Sequence, residues 1–125
     1  MTNKFIKSKY LNLETYRRSG IGVRTPVWFV LANDQLYIQT IENSGKVKRI
    51  RNNSQVNFTT CRGDGKPTGT WQQGHCQIVH DETLEKKVDL YLEKKYGFLK
   101  KWFSARQVRQ GLKAVLLVIQ PDIPL

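Results

Sequence analysis

With 125 residues, 39% hydrophobic and 25% charged, the chain has the size of one domain (residues 1–125) and a globular balance, which excludes disorder and any need for disulfide or metal staples. No run approaches the ~20 apolar residues of a membrane span, and Met1 to Ser8 lacks the apolar stretch of a secretory signal, so a soluble cytoplasmic protein is expected. The net charge of +11 calls for an anionic partner, with nucleic acid, acidic membrane surfaces and phosphate-bearing cofactors as the classes to weigh.

In chain order, Leu11, Leu13 and Thr15 alternate with polar neighbours and predict a strand over 11–16. Arg17-Arg18-Ser19-Gly20 predicts a turn. Residues 21–31 alternate again and predict a second strand, and Asn33-Asp34 predicts the hairpin turn into a third over 36–41. These three segments are expected to form an antiparallel meander. From Ser44 to Arg51 the only apolar residues are Val47 and Ile50, three apart, which suits a short helix with Ser44 as N-cap. A fourth strand is expected over 56–61, a turn over 62–67 and a fifth strand over 75–80. Leu84, Val88, Tyr91 and Leu92 then mark one long amphipathic helix over 81–95, started by Asp81 and ended by Gly97. A shorter helix over 98–108 and a buried β-branched strand over 114–119 complete the pattern. About six antiparallel strands in so short a chain favour a closed or nearly closed barrel, because closure removes exposed edges.

Few residues look like catalytic machinery. Cys61 and Cys76 fit no zinc spacing and read as two thiols on neighbouring strands. His75 and His80, an odd number apart on one expected strand, point to opposite faces and share no metal; no metal site is expected. There is no Ser/His/Asp or Cys/His constellation. Two places stand out instead. Pro26 interrupts the most apolar strand, and an edge strand broken by proline can offer backbone groups to a flat ring. Ser44-Gly45-Lys46, with Lys48, Arg49 and Arg51, gathers a hydroxyl, helix-start N–H groups and cations into a candidate anion site. Each also has an ordinary reading: an edge proline that blocks aggregation, and a solvated basic face. Basic residues with three tryptophans also suit nucleic acid, but no RRM, KH or zinc-finger motif is present, which weighs against that partner.

Several segments taken in order resemble a known family. These are Tyr10-Leu11-Asn12-Leu13-Glu14-Thr15-Tyr16-Arg17, Thr25-Pro26-Val27-Trp28-Phe29, Thr40, Ser44 through Asn53, Cys61 through Gly69, and Lys95-Tyr96-Gly97. Together they are similar to the pyridoxamine 5'-phosphate oxidase-like, FMN-binding split-barrel superfamily, and most of all to its F420-dependent oxidoreductase branch. The resemblance implies a mainly β fold, a six-stranded antiparallel split β-barrel with helices. It implies a homodimer with two cofactor sites at the interface and no membrane partner. It also implies that Arg24, Thr25, Pro26, Val27 and Trp28 lie along the ring of F420 or FMN, while Thr40, Ser44, Lys46 and Arg49 bind its phosphate. Trp71 is expected near the site from the other subunit. The function implied is hydride transfer between the cofactor and a small unsaturated or quinone-like substrate. A non-catalytic module that holds FMN or haem as sensor, store or stress protein is the alternative.

Overall fold

The computed structural model describes residues 3–125. Seven strands form one antiparallel sheet in the order β2-β1-β5-β6-β7-β4-β3. They are β1 (Tyr10–Tyr16), β2 (Gly22–Val27), β3 (Val30–Ala32), β4 (Gln35–Ile41), β5 (Gln55–Cys61), β6 (Gln72–Val79) and β7 (Ala114–Pro121). The helices are α1 (Asn3–Lys7), α2 (Gly45–Asn52), α3 (Glu82–Tyr96) and α4 (Phe98–Arg109).

The strand count corrects the expectation of six. Residues 21–31 are not one strand. They break at Trp28-Phe29 into β2, which pairs with β1, and β3, which pairs with β4. The expected three-strand meander is therefore two hairpins at opposite margins of the sheet. This split also shows that the sheet is rolled. Seven strands laid flat would put β2 and β3 about 29 Å apart, yet three Cα steps from Val27 to Val30 span at most about 11 Å. Only a sheet curled into a barrel brings its two margins within that reach. Pro26 fits the arrangement, since it lies on the outermost strand opposite Asn12 and owes no ladder hydrogen bond on its free side.

Turn chemistry sets the hairpins. Asn33 and Asp34 both have positive φ, 52° and 61°, the backbone of a tight I′-type turn that short polar side chains tolerate. Gly20, at φ 91°, closes the β1–β2 connection, with its N–H bonded to the Arg17 carbonyl at 2.8 Å.

The barrel interior holds Leu11, Leu13, Leu36, Ile38, Val56, Phe58, Leu117 and Ile119. Val47 and Ile50, the only apolar pair of α2, plug it. Ser44 caps α2 by accepting from the Val47 N–H at 3.4 Å. A second cluster lies outside the sheet, where Val88 and Leu92 of α3 pack on Val30, Tyr37, Leu116 and Val118. Residues 114–119 read as a continuous apolar run because alternate side chains of β7 face these two cores. Tyr91, expected in the α3 stripe, stays 38% exposed. Cys61 and Cys76 are free and buried. Burial raises both thiol pKa values, that of Cys76 to about 12, so neither is a nucleophile near neutrality. The expected fifth strand ends at Val79, leaving His80 beyond it, and His75 pairs instead with Asp122 at 3.0 Å.

Candidate functional site

A cavity of about 550 Å³ opens where the β2–β3 link, the end of β4, the start of α2 and the helices α3 and α4 meet. That is an ordinary size for a small-molecule site. Of the residues singled out in the sequence, it brings together Val27, Trp28, Thr40 and Lys46. Part of the lining is apolar, Val27, Trp28, Leu92 and Phe103 among it. Part is polar, and within it the Lys46 Nζ donates to the Thr40 Oγ1 at 3.4 Å.

The aromatic lining is packed on its outer side. Tyr96 stacks on Trp28 with ring centroids 4.4 Å apart and planes 11° from parallel. Phe103 meets the same indole edge-on at 5.3 Å. The Tyr96 hydroxyl accepts from the Phe29 N–H at 3.0 Å and lies 2.8 Å from the Lys9 carbonyl oxygen. Lys95 donates to the Phe29 carbonyl at 3.0 Å, with its ammonium 3.7 Å from the Phe29 ring centroid. The last turn of α3 thus holds the short link that joins the two margins of the barrel, and with it the aromatic wall.

Lys46 is partly desolvated. Burial, and after it the nearby Arg49 charge, lowers the Lys46 pKa below the usual lysine value. A cation in that state gains from an anion placed beside it. Further along the wall, α4 contributes a lysine absent from the sequence-based site. Lys100 is 3% exposed. Its Nζ donates to Asp89 Oδ1 at 2.7 Å and to the Ser104 hydroxyl. Gln39 reaches the same carboxylate oxygen at 3.4 Å.

The other proposed site residues stand elsewhere within this one chain. Arg24 donates to Glu14 Oε2 at 2.8 Å and lies 4.3 Å over the ring of Trp71, which is part of the same chain here. Burial pushes the Glu14 carboxyl up, but donors from Arg24, Asn57 and Tyr16 outweigh it and hold its pKa below the ordinary value. Thr25 pairs with Leu13 and is half-buried, and Pro26 is exposed on the free margin. Ser44 is occupied as the α2 cap. Arg49 turns away from the cavity, its Nε donating to Thr15 Oγ1 at 2.7 Å.

Lys95 gives the site a testable pH signature. Burial lowers its pKa to about 8, while in the unfolded chain the amine returns to roughly 10.4. Between those values the unfolded chain binds the proton that the folded chain has released, so this group makes stability rise with pH. Tyr96, pushed up to about 12 by burial, acts in the opposite sense, but only above the ordinary tyrosine value of roughly 10. The stability of Lys95→Met relative to the wild type, from denaturant melts, should therefore fall as pH rises from about 8 to about 10. A difference constant across that interval would show that the ammonium carries no burial penalty.

The rolled antiparallel sheet with its helices has the split-barrel fold of solved pyridoxamine 5'-phosphate oxidase-like proteins. No family model matches the chain, and no curated protein sequence is significantly similar to it. Among solved structures it is similar to HutZ, the haem storage protein from Vibrio cholerae. The TM-score is 0.75 at 15% identity, covering 98% of this chain and 87% of that one. An F420 reductase superposes with TM-score 0.65 at 19% identity, over 98% of this chain and 93% of the other. A protein from Listeria innocua assigned as a pyridoxamine 5'-phosphate oxidase gives 0.69 at 15%, over 97% and 90%.

Proposed function

We propose that the chain is a flavin- or deazaflavin-dependent oxidoreductase whose cavity seats the cofactor with its ring at Trp28 and its phosphate at Lys46. The observation that carries this reading is the mixed lining of a single cavity: apolar and aromatic side chains together with a half-buried ammonium beside a hydroxyl. The residues present suit a phosphorylated planar ring. Lys46 supplies a charge-assisted donor and Thr40 a hydroxyl, while Val27, Trp28 and Phe103 exclude water from the ring. When bound, the cofactor supplies hydride chemistry, which asks the protein for binding and orientation more than for acid–base groups. Tyr96 and Lys95 fix the backbone at Phe29 and so set the angle of the Trp28 wall. The exposed margin at Arg24 and Pro26 lies free for a second copy, and we propose a homodimer in which these residues complete the site of the partner.

F420 reductase and haem storage proteins share the fold, so cofactor class must come from the site. Among the described lining residues only Tyr10 is of a type that ligates haem iron. The cavity therefore favours a flavin-type ring over haem, while a module that holds FMN without turnover is separated from an enzyme by an assay for substrate reduction.

Fluorescence titration with FMN and with F420 tests the proposal. Binding of one of them at micromolar Kd or tighter, about 8 kcal/mol, is expected. Lys46→Ala should weaken it by about 1.5–3 kcal/mol through loss of the charge-assisted phosphate contact. Failure of both cofactors to bind the wild type overturns the reading.

A further inference from the structure

Among the described residues that line the cavity there are two lysines and no carboxylate, and the two lysines are not alike. Lys46 has a neutral partner, the Thr40 hydroxyl, so its charge is available to an anion. Lys100 is already paired. Its Nζ meets Asp89 Oδ1 at 2.7 Å, and Asp89 stands outside the cavity, in the adjoining recess between α3 and α4. The two lysines are also held from different sides. Gln39 and Thr40 are consecutive on β4, so their side chains leave opposite faces of the sheet. Lys46 bonds to Thr40, whereas Gln39 bonds to the Asp89 of the other pair.

Ser104 lies one helical turn beyond Lys100 on α4 and lines the cavity with it. An ammonium donates and cannot accept, so at their contact the serine oxygen is the acceptor. The hydroxyl proton is left uncommitted, with no acceptor among the described residues. A hydroxyl whose oxygen already accepts from a cation is a stronger donor, because linked hydrogen bonds polarise one another.

We infer that Ser104, polarised by Lys100, is a hydrogen-bond donor to an uncharged carbonyl oxygen bound in the cavity. Charge selects the ligand. A second anion at Ser104 would have to share Lys100 with Asp89 and meet that like charge, whereas a carbonyl needs only the proton. Two sources share this chemistry: the carbonyl of an enone or quinone substrate, and a carbonyl of the flavin-type ring itself. Naming them rests on the cofactor reading above; the donor does not. Ser104 touches the ligand, and Lys100 is a positioning residue that acts through it.

The probe is para-dimethylaminobenzylideneacetone, a planar enone whose absorption band moves to the red when its carbonyl accepts a hydrogen bond. Wild-type protein should bind it and shift the band. Ser104→Ala should weaken binding about fivefold, the worth of one hydrogen bond, and remove most of the shift. Ser104→Thr keeps a hydroxyl and should restore both. Lys100→Met should leave a smaller shift, since the hydroxyl stays and its polarisation is lost. Alanine suits a helix and Asp89 still holds Lys100, so Ser104→Ala should melt as the wild type does. Titration of Ser104→Ala with FMN separates the sources. FMN weakened about fivefold along with the probe assigns the ring carbonyl to Ser104, and FMN unchanged assigns a substrate. A band that the wild type leaves unmoved overturns the inference. So does a shift that survives in Ser104→Ala, or one that Lys46→Ala removes. Wild-type protein that shifts the probe but binds neither FMN nor F420 overturns the cofactor reading and leaves the carbonyl site standing.

Discussion

Asp89→Ala is expected to destabilise the fold by about 3 kcal/mol, because it strands a buried ammonium. Lys100 has a side chain only 4% exposed, and Asp89 is the carboxylate that holds it, at 2.7 Å. Asp89 itself is 38% exposed, so water can partly replace it, which places the cost at the lower end of the usual range for a broken buried pair. The control is Lys100→Met, which keeps a long side chain against the cavity wall and removes the charge. It should cost less than about 1 kcal/mol, since swapping a buried ion for an apolar group of similar volume is close to neutral. Denaturant melts of both variants decide the matter. If the two cost the same, Lys100 has another way to reach solvent, and α4 does not seal the cavity.

The second large effect is Phe58→Ala, expected to cost about 3–5 kcal/mol. Phe58 is fully buried and meets Phe5 edge-on with ring centroids 6.0 Å apart. Its environment cannot collapse to refill the space. Gly74 sits beneath it because a Cβ there would lie 3.2 Å from Phe58 Cε1 and 2.8 Å from the Gln120 carbonyl. The backbone of β6 already approaches as closely as it can, and truncation leaves a cavity. Phe58→Leu should cost markedly less, because most of the volume stays. A thermal melt of Phe58→Ala should fall by roughly ten degrees or more. A shift of only a degree or two would show that the ring is not a core anchor.

Local chemistry was readable from sequence where it depends on near neighbours. Asn33-Asp34, the Ser44 cap and the Gly97 stop all act within a few residues, and each lies where its side chain or backbone demands, while Asp81, expected in the first turn of α3, is its N-cap. The pair Val47 and Ile50 was enough to place α2 against a core. Three features were hidden for physical reasons. Residues 21–31 alternate without interruption, so periodicity cannot reveal that Trp28-Phe29 leaves one margin of the sheet and enters the other. That break is fixed by closure of the barrel, a property of distant strands. Lys100 reads as one more surface cation in a basic segment. Only the position of Asp89 on the preceding helix makes it a buried group. Arg24 and Arg49 carry the charge expected of an anion site, but Glu14 and Thr15 of β1 engage them first. Among the nine residues proposed for the cofactor, the four that line the cavity are Val27, Trp28, Thr40 and Lys46. The described lining from α3 and α4 had no signal beyond helical periodicity.

The place of β7 in the sheet has a consequence for synthesis. It follows the six other described strands in the chain, yet it lies between β6 and β4 and bonds to both. Until Ala114–Pro121 leaves the ribosome, the β3–β4 hairpin has no strand of the rest of the sheet to pair with, and β4 and β6 each present a bare ladder of N–H and C=O groups. Bare ladders recruit other chains. Between the synthesis of β6 and that of β7 the nascent chain therefore carries two sticky margins, and a chain interrupted in α4 would keep both.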